Sequence, residues 1–336
     1  MTEHIRALSV ISGGLDSILA TRIVMDQGVD VTAIHFVTPF FGSVPGSEGD
    51  LFSQRMAERY RIRATAVDIT HSYIGMLASP QYGYGKNFNP CVDCKILLFS
   101  TARQMMEEAG ARFIVTGEVL GQRPMSQRRD TLRVIERDSL TTGLLLRPLS
   151  AKLLKPTIPE TEGWVHREAL FGFSGRSRKP QIELASRLGI TGYPAPAGGC
   201  CLTDPIQAAR IRRLYRIKER PEPREVKLIQ IGRPFYLGSG VIMTMGRNEE
   251  ENVRIEGLAG NGDIFLKIVD MPGPLGLIIG SPTEDQVTRA TAVVAYYSKA
   301  RGLPTVSVGI GGRSNPWGTV REVAPMGEQD VEKMKF

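Results

Sequence analysis

The sequence predicts an α/β domain built on a parallel sheet, followed by a smaller α+β domain. Three observations lead there. Between Ala7 and Leu146, apolar runs of strand length alternate with stretches of helical spacing, the pattern of a parallel sheet covered by helices. The first strand runs straight into Ser12-Gly13-Gly14-Leu15-Asp16-Ser17 and then a helix. Beyond Lys218-Glu219-Arg220-Pro221-Glu222-Pro223, a charged and proline-rich stretch, the composition shifts to short strands and glycines. The predicted domains are residues 1–220 and 224–336.

In chain order, Ala7–Ile11 reads as a buried strand and Ser17–Met25 as a helix. Val29–Val37 is a second strand, Asp50–Arg61 a helix and Ala64–Ile69 a third strand. A helix over Cys94–Ala109 precedes a fourth strand, Arg112–Gly117, and Leu144–Leu146 is a fifth. In such a sheet, ligands bind at the carboxyl ends of the strands. His35 lies near one such end and is a candidate border of an adenine pocket, beside its plainer reading as a packed core histidine.

The balance of 42% hydrophobic and 23% charged residues is that of a globular protein, and no apolar run approaches membrane-spanning length. Met1-Thr2-Glu3-His4 has no signal-peptide pattern, so a cytoplasmic location without membrane attachment is expected. Four clustered cysteines in that setting point to metal or redox chemistry rather than a disulfide scaffold. The net charge of +7 favours a polyanionic partner.

A strand, a Gly-Gly turn and a helix start make an anion site. The glycines let the backbone approach a ligand, and the first helical N–H groups face it with the dipole behind them. Ser12 and Ser17 add hydroxyls suited to phosphate oxygens. No Lys follows the glycines, so the Walker pattern does not apply. The string resembles the PP-loop of the ATP pyrophosphatases, an adenine nucleotide alpha hydrolase-like fold. The resemblance implies that Ser12, Gly13, Gly14 and Ser17 cradle the pyrophosphate of ATP while Asp16 acts through Mg2+.

A second candidate site begins at Asn89-Pro90-Cys91-Val92-Asp93-Cys94. Pro90 starts a helix, which places Cys91 and Cys94 in its first turn, where the dipole is expected to favour thiolate. The C-x-x-C pair alone fits half a zinc site, a redox disulfide or part of an iron–sulfur site. Pro196-Ala197-Gly198-Gly199-Cys200-Cys201 offers a further thiol from a glycine-freed turn, without the spacing of a second C-x-x-C.

Thr116-Gly117-Glu118-Val119-Leu120-Gly121-Gln122, then Ser126-Gln127 and Leu146-Arg147-Pro148-Leu149, resemble the catalytic domain of the tRNA 4-thiouridine synthetases. That resemblance adds Thr116 and Gly117 to the nucleotide site. Asn89-Pro90 followed by Cys94 also resembles the tRNA 2-thiouridylases, which carry Asp where this chain has Cys91. Cys91-x-x-Cys94 with a remote Cys200 is similar to iron–sulfur-dependent tRNA thiolation enzymes. It implies a 4Fe-4S cluster on Cys91, Cys94 and Cys200, with zinc as the alternative and Asp16, Cys94 and Cys200 as the catalytic set. Cys200 is preferred to Cys201 because it directly follows Gly-Gly. The resemblance spans about residues 5–205 and is loose from Lys152 to Lys179.

Three basic groups accompany these motifs: Arg123, Arg128, Arg129, Arg133 and Arg137; Arg176, Arg178 and Lys179; and Arg210, Arg212, Arg213, Arg216 and Lys218. Together they favour RNA phosphate contact over a merely solvated surface. Further on, Gly246–Asn252, Gly262–Lys267, Pro272-Gly273 and Ala295–Arg301 resemble the RNA-binding domain of the NFACT proteins. Pro274-Leu275 replaces the histidine usual in that family, so the fold carries over better than the RNA contacts. Tyr296 and Tyr297 are expected to pack, with Lys299 and Arg301 left for phosphate.

The expected activity is ATP-dependent tRNA sulfur transfer making a thiouridine, with 4-thiouridine favoured. Its partners would be tRNA, a sulfur donor (sulfide or a cysteine desulfurase) and a second copy in a homodimer. Two alternatives are a PP-loop amide- or nitrile-forming ligase with structural zinc, and a non-catalytic RNA-binding factor.

Overall fold

The computed structural model describes residues 4–42, 48–195, 199–269, 271–313 and 315–336. They divide into two compact units, Met1–Thr203 and Asp204–Phe336.

In the first unit, β1 (Arg6–Val10) is the central strand and leads into α1 (Leu15–Met25). There follow β2 (Asp30–Val37), α2 (Glu48–Tyr60), β3 (Arg63–Asp68), α3 (Thr70–Ala78), α4 (Cys91–Glu108) and β4 (Phe113–Thr116). The unit continues with α5 (Arg129–Asp138), β5 (Leu145–Leu146), α6 (Ile158–Thr161) and α7 (Lys179–Arg187). The five strands are parallel in the order β3-β2-β1-β4-β5. Val10 pairs with Ile34 on one side and Thr116 on the other. The chain winds outward from β1 through β2 to β3, then returns to build β4 and β5 on the opposite side. The loops leaving β1 and β4 therefore part at the switch point, where such sheets bind ligands.

Helix α1 is apolar almost all round because it packs between the sheet and α7. Leu15, Ile18, Leu19, Ala20, Ile23 and Val24 join Leu184 and Ala185 of α7 in one core. Trp164, Phe171 and Phe173 pack against that core from the 152–179 segment, which carries little sequence signal.

The second unit contains α8 (Pro205–Ile217), α9 (Pro223–Ile229), β6 (Arg233–Gly238), β7 (Val241–Met245), α10 (Glu249–Leu258), β8 (Ile264–Ile268) and β9 (Gly276–Ile279). It ends with α11 (Glu284–Tyr296), β10 (Val306–Gly312), β11 (Asn315–Val323) and α12 (Glu328–Met334). Six antiparallel strands run in the order β11-β10-β8-β9-β7-β6. Val287, Ala290, Val293 and Val294 give α11 the face that closes this core. A capping box starts the helix: Thr283 Oγ1 accepts from Gln286 N at 3.3 Å and Gln286 Oε1 from Thr283 N at 2.8 Å.

The division between units falls before the proline-rich stretch taken as the linker. Residues 204–217 belong to the second unit because α8 is tied to the chain after α9. Gln207 donates to Gln230 O at 3.4 Å, and Arg210 donates to Ile229 O at 3.3 Å and Gly232 O at 3.1 Å. Arg213 stacks over Tyr236 and Phe336, and Lys218 pairs with Glu225. The third basic group is thus largely spent on internal contacts. Tyr296 is buried and Tyr297 packs on the same core, while Lys299 and Arg301 are exposed. Among the described residues, no helix is long and apolar enough to cross a membrane.

Candidate active site

The turn after β1 is held by its own serines. Ser17 Oγ donates to Gly14 O at 2.8 Å and accepts from Ser12 N at 3.2 Å, with Ser12 Oγ at 3.3 Å. Gly13 has φ +77°, a left-handed conformation suited to glycine, and Phe52 lies directly against it. Gly14 caps α1 without any side-chain hydrogen bond, so the leading N–H groups of the first turn are available to an anion.

The loop from β4 meets this turn across the switch point. A Cβ at Gly117 would sit 2.5 Å from Ser17 N and 2.6 Å from the Asp16 carbonyl, both backbone atoms that cannot swing aside. Gly117→Ala is therefore expected to cost about 2 kcal/mol of stability by overpacking. Urea denaturation checks this, and an unchanged midpoint would show that the contact relaxes freely.

Asp16 is held on one side only. Gln122 Nε2 donates to Asp16 Oδ2 at 2.7 Å, and Gln181 Nε2 donates to Gln122 Oε1 at 3.1 Å. Asp16 Oδ1 is shielded from solvent and has no hydrogen-bond partner among the described residues. A buried carboxylate oxygen left free in an anion-binding turn fits a hard cation such as Mg2+.

His35 is a packed residue in this structure. Its Nδ1 lies 2.9 Å from Ile11 O, its Nε2 3.3 Å from Gly42 O, and its ring stacks on Phe52 at 3.9 Å. Burial holds its pKa below the ordinary histidine range.

The cysteines converge from two segments. Cys91 and Cys94 occupy the first turn of α4, after Pro90. Cys200 comes from the 199–203 turn, which is pinned by Asn87 Nδ2 donating to Thr203 O at 2.6 Å and Cys201 N to Phe40 O at 3.2 Å. Residues 196–198, including Gly198, lie outside the described residues. Cys94 is close enough to Cys91 and Cys200 for each charge to oppose its ionisation, and it accepts a hydrogen bond from the Tyr73 hydroxyl.

In the metal-free chain the first turn of α4 does not by itself favour the Cys94 thiolate. The Cys94 thiol is pushed up to about 12 by burial, against which Lys95 and the Tyr73 hydroxyl pull only partly. Cys94 is half-buried as a residue, but its sulfur faces inward, and desolvation outweighs the helix start. Burial likewise raises Cys200 and holds the Tyr73 phenol well above its ordinary value. No group of three His, Cys, Asp or Glu side chains among the described residues is arranged to hold a metal ion as it stands. The donor chemistry still fits a soft metal centre: the three neighbouring donors are all thiols, and a cation would offset the repulsion between their thiolate forms.

One loop joins the two sites. Gln122 reaches Asp16, while Met125 Sδ lies 3.3 Å from Asn89 Nδ2, which also donates to Cys91 Sγ at 3.1 Å. A Cβ at Gly199 would come within 3.9 Å of the exposed Arg123 guanidinium. Behind the loop, buried Glu118 sits between Arg147 at 3.0 Å and Lys95 at 3.4 Å, tying α4 to the turns after β4 and β5.

Sequence reasoning therefore names Ser12, Gly13, Gly14, Asp16, Ser17 and Gly117 in one place, and Cys91, Cys94 and Cys200 in another. Thr116 is buried at the end of β4, pairing with Val10. It misses Tyr73 and Gln181. The spacing of Thr70, Tyr73, Ile74 and Leu77 was a usable helix signal for the first; Gln181 had none.

Residues 3–158 match the family model described as thiamine biosynthesis protein (ThiI), and residues 232–335 match the NFACT protein RNA binding domain. A "Probable tRNA sulfurtransferase" of Methanothermobacter thermautotrophicus is 32% identical over 123 residues, covering 35% of this chain and 30% of that protein. Another from Staphylococcus aureus (strain Newman) is 34% identical over 151 residues, covering 43% and 34%. The chain spans about a third of the length of these curated relatives. Among solved structures, a 4-thiouridine synthetase–RNA complex with bound ATP aligns with a TM-score of 0.39 at 21% identity, over 55% of this chain and 41% of that one.

Proposed function

We propose that this chain, a PP-loop domain of the tRNA thiouridine synthetase group joined to an NFACT-type RNA-binding domain, is an ATP-dependent tRNA sulfurtransferase that makes a thiouridine. The observation that carries this reading is the loop from Gly117 to Gln127, which touches Asp16 through Gln122 and, through Met125, the Asn89 side chain that donates to Cys91. An adenylation site and a sulfur site bridged by one loop are what two successive steps on the same uridine require.

The turn from Ser12 to Ser17 binds the triphosphate through backbone N–H groups and the helix dipole. Asp16 would hold Mg2+, which supplies charge neutralisation to the triphosphate. The uridine carbonyl oxygen attacks the α-phosphate and pyrophosphate leaves, making that oxygen a leaving group. A sulfur nucleophile then displaces AMP. Cys91, Cys94 and Cys200 would hold a 4Fe-4S cluster, whose open iron supplies a binding position for sulfur from sulfide or a desulfurase. Residues 232–335 hold the tRNA, with exposed Lys299 and Arg301 toward phosphate. Four-thiouridine is the favoured product.

The test is the full chain, purified without oxygen and given ATP, Mg2+, sulfide and unmodified tRNA. Pyrophosphate release and a thiouridine in the nucleoside mass spectrum are expected, with iron and acid-labile sulfide at about four each per chain. Loss of the iron in Cys200→Ala but not Cys201→Ala is expected as well. Stoichiometric zinc with no thionucleoside would overturn the proposal in favour of a ligase.

A further inference from the structure

We infer that Gln181, on a helix outside the matched 3–158 region, is a positioning residue for Asp16, acting through the side chain of Gln122. The inference rests on the proposed ATP site.

The direction of the relay is fixed by chemistry. A carboxylate oxygen only accepts, so Gln122 must present its amide nitrogen to Asp16 and its oxygen to Gln181. Gln181 must then answer with its own nitrogen. The two contacts measure 2.7 and 3.1 Å. Each amide locks the flip of the next, and Asp16 Oδ1 is left as the free oxygen.

Neither amide is needed to build the fold around it. The loop is closed by backbone: Gln122 N donates to Val119 O at 3.1 Å and Gly121 N to Gln127 O at 2.7 Å. Helix α7 is seated by Leu184 and Ala185 in the apolar core. Yet Gln181 is fully buried, and its Oε1 has no hydrogen-bond partner among the described residues. A buried amide with one end unpaired is costly where an apolar residue would pack. What it contributes at this position is the orientation of Gln122, and through it of Asp16. Outer partners of metal-holding carboxylates act in this way, fixing which oxygen faces the ion.

The experiment measures equilibrium binding of labelled ATP to the full chain as Mg2+ is titrated, without tRNA. The variants are Gln181→Leu, Gln122→Leu and the double variant. Gln122→Leu should raise the half-saturating Mg2+ concentration about tenfold and Gln181→Leu about threefold, since it lies one step further out. Because the effect of Gln181 passes through Gln122, the double variant should match Gln122→Leu alone. Melting temperatures read separately whether a variant is merely less stable. An unshifted Mg2+ midpoint in Gln181→Leu, or effects that multiply in the double variant, would overturn the inference and leave the ATP site intact. Absence of Mg2+-dependent ATP binding in the unsubstituted chain would instead overturn the ATP site, and the inference with it.

Discussion

Asp16→Asn is expected to lower tRNA-dependent pyrophosphate release about a thousandfold, since a metal held against the triphosphate contributes several kcal/mol and each 1.4 kcal/mol is tenfold. The replacement is nearly isosteric, so the fold and tRNA affinity should stay close to those of the unsubstituted chain. What changes is charge. Asp16 accepts from Gln122 with one oxygen and offers the other, buried and free, to a cation. An amide has no net charge for the ion, and its N–H₂ end opposes either Gln122 or the metal. A pyrophosphate assay with a matched tRNA-binding measurement reads both halves, and undiminished turnover would remove the turn from the mechanism.

The other large effect is on thiol chemistry. In metal-free protein at pH 8, Cys94 should react with iodoacetamide about a thousandfold more slowly than a thiol with its ordinary pKa of 9.0, because burial raises it to about 12. The sign follows from the acid: a raised pKa keeps the neutral thiol dominant, so reactivity should climb about tenfold per pH unit up to about 12. Mass spectrometry of alkylated peptides gives the profile for each cysteine, and a plateau near pH 9 at Cys94 would show that the sulfur is solvated. Metal loading must expel the proton that burial retains, so metal affinity should rise with pH.

Much of the first unit was legible because its information is local. Ala7–Ile11 is a continuous apolar run, and the Ser-Gly-Gly string that ends it has few other uses. Helix α3 was equally visible in its spacing, but it follows β3 with no glycine or proline to mark the change. The ionisation of Cys94 was not legible, for a different reason. Position in a first turn is a property of the sequence, whereas burial of the sulfur depends on the tertiary fold, which also brings Cys200 from a turn over a hundred residues away. Gln181 reads as one more polar residue of an amphipathic helix. Only the approach of Gln122 from the β4 loop shows why it is inside. The boundary between units followed the same rule: prolines announce a break in a helix, but contacts decide which core the helix joins.

The anchoring of the Gly117–Gln127 loop bears on how the chain can tolerate changes in length. Surface connections ordinarily absorb insertions and deletions. This one is fixed at Gly117 against Asp16, at Leu120 by Ser150 Oγ and Gly175 N, and at Gln122 by Asp16. One added residue would slide Gln122 off its carboxylate and Met125 off Asn89 together, disturbing both candidate sites with a single event. Length variation among natural versions of this chain should gather instead at exposed turns such as Gly28 and Gly163, which have open space around their Cα atoms.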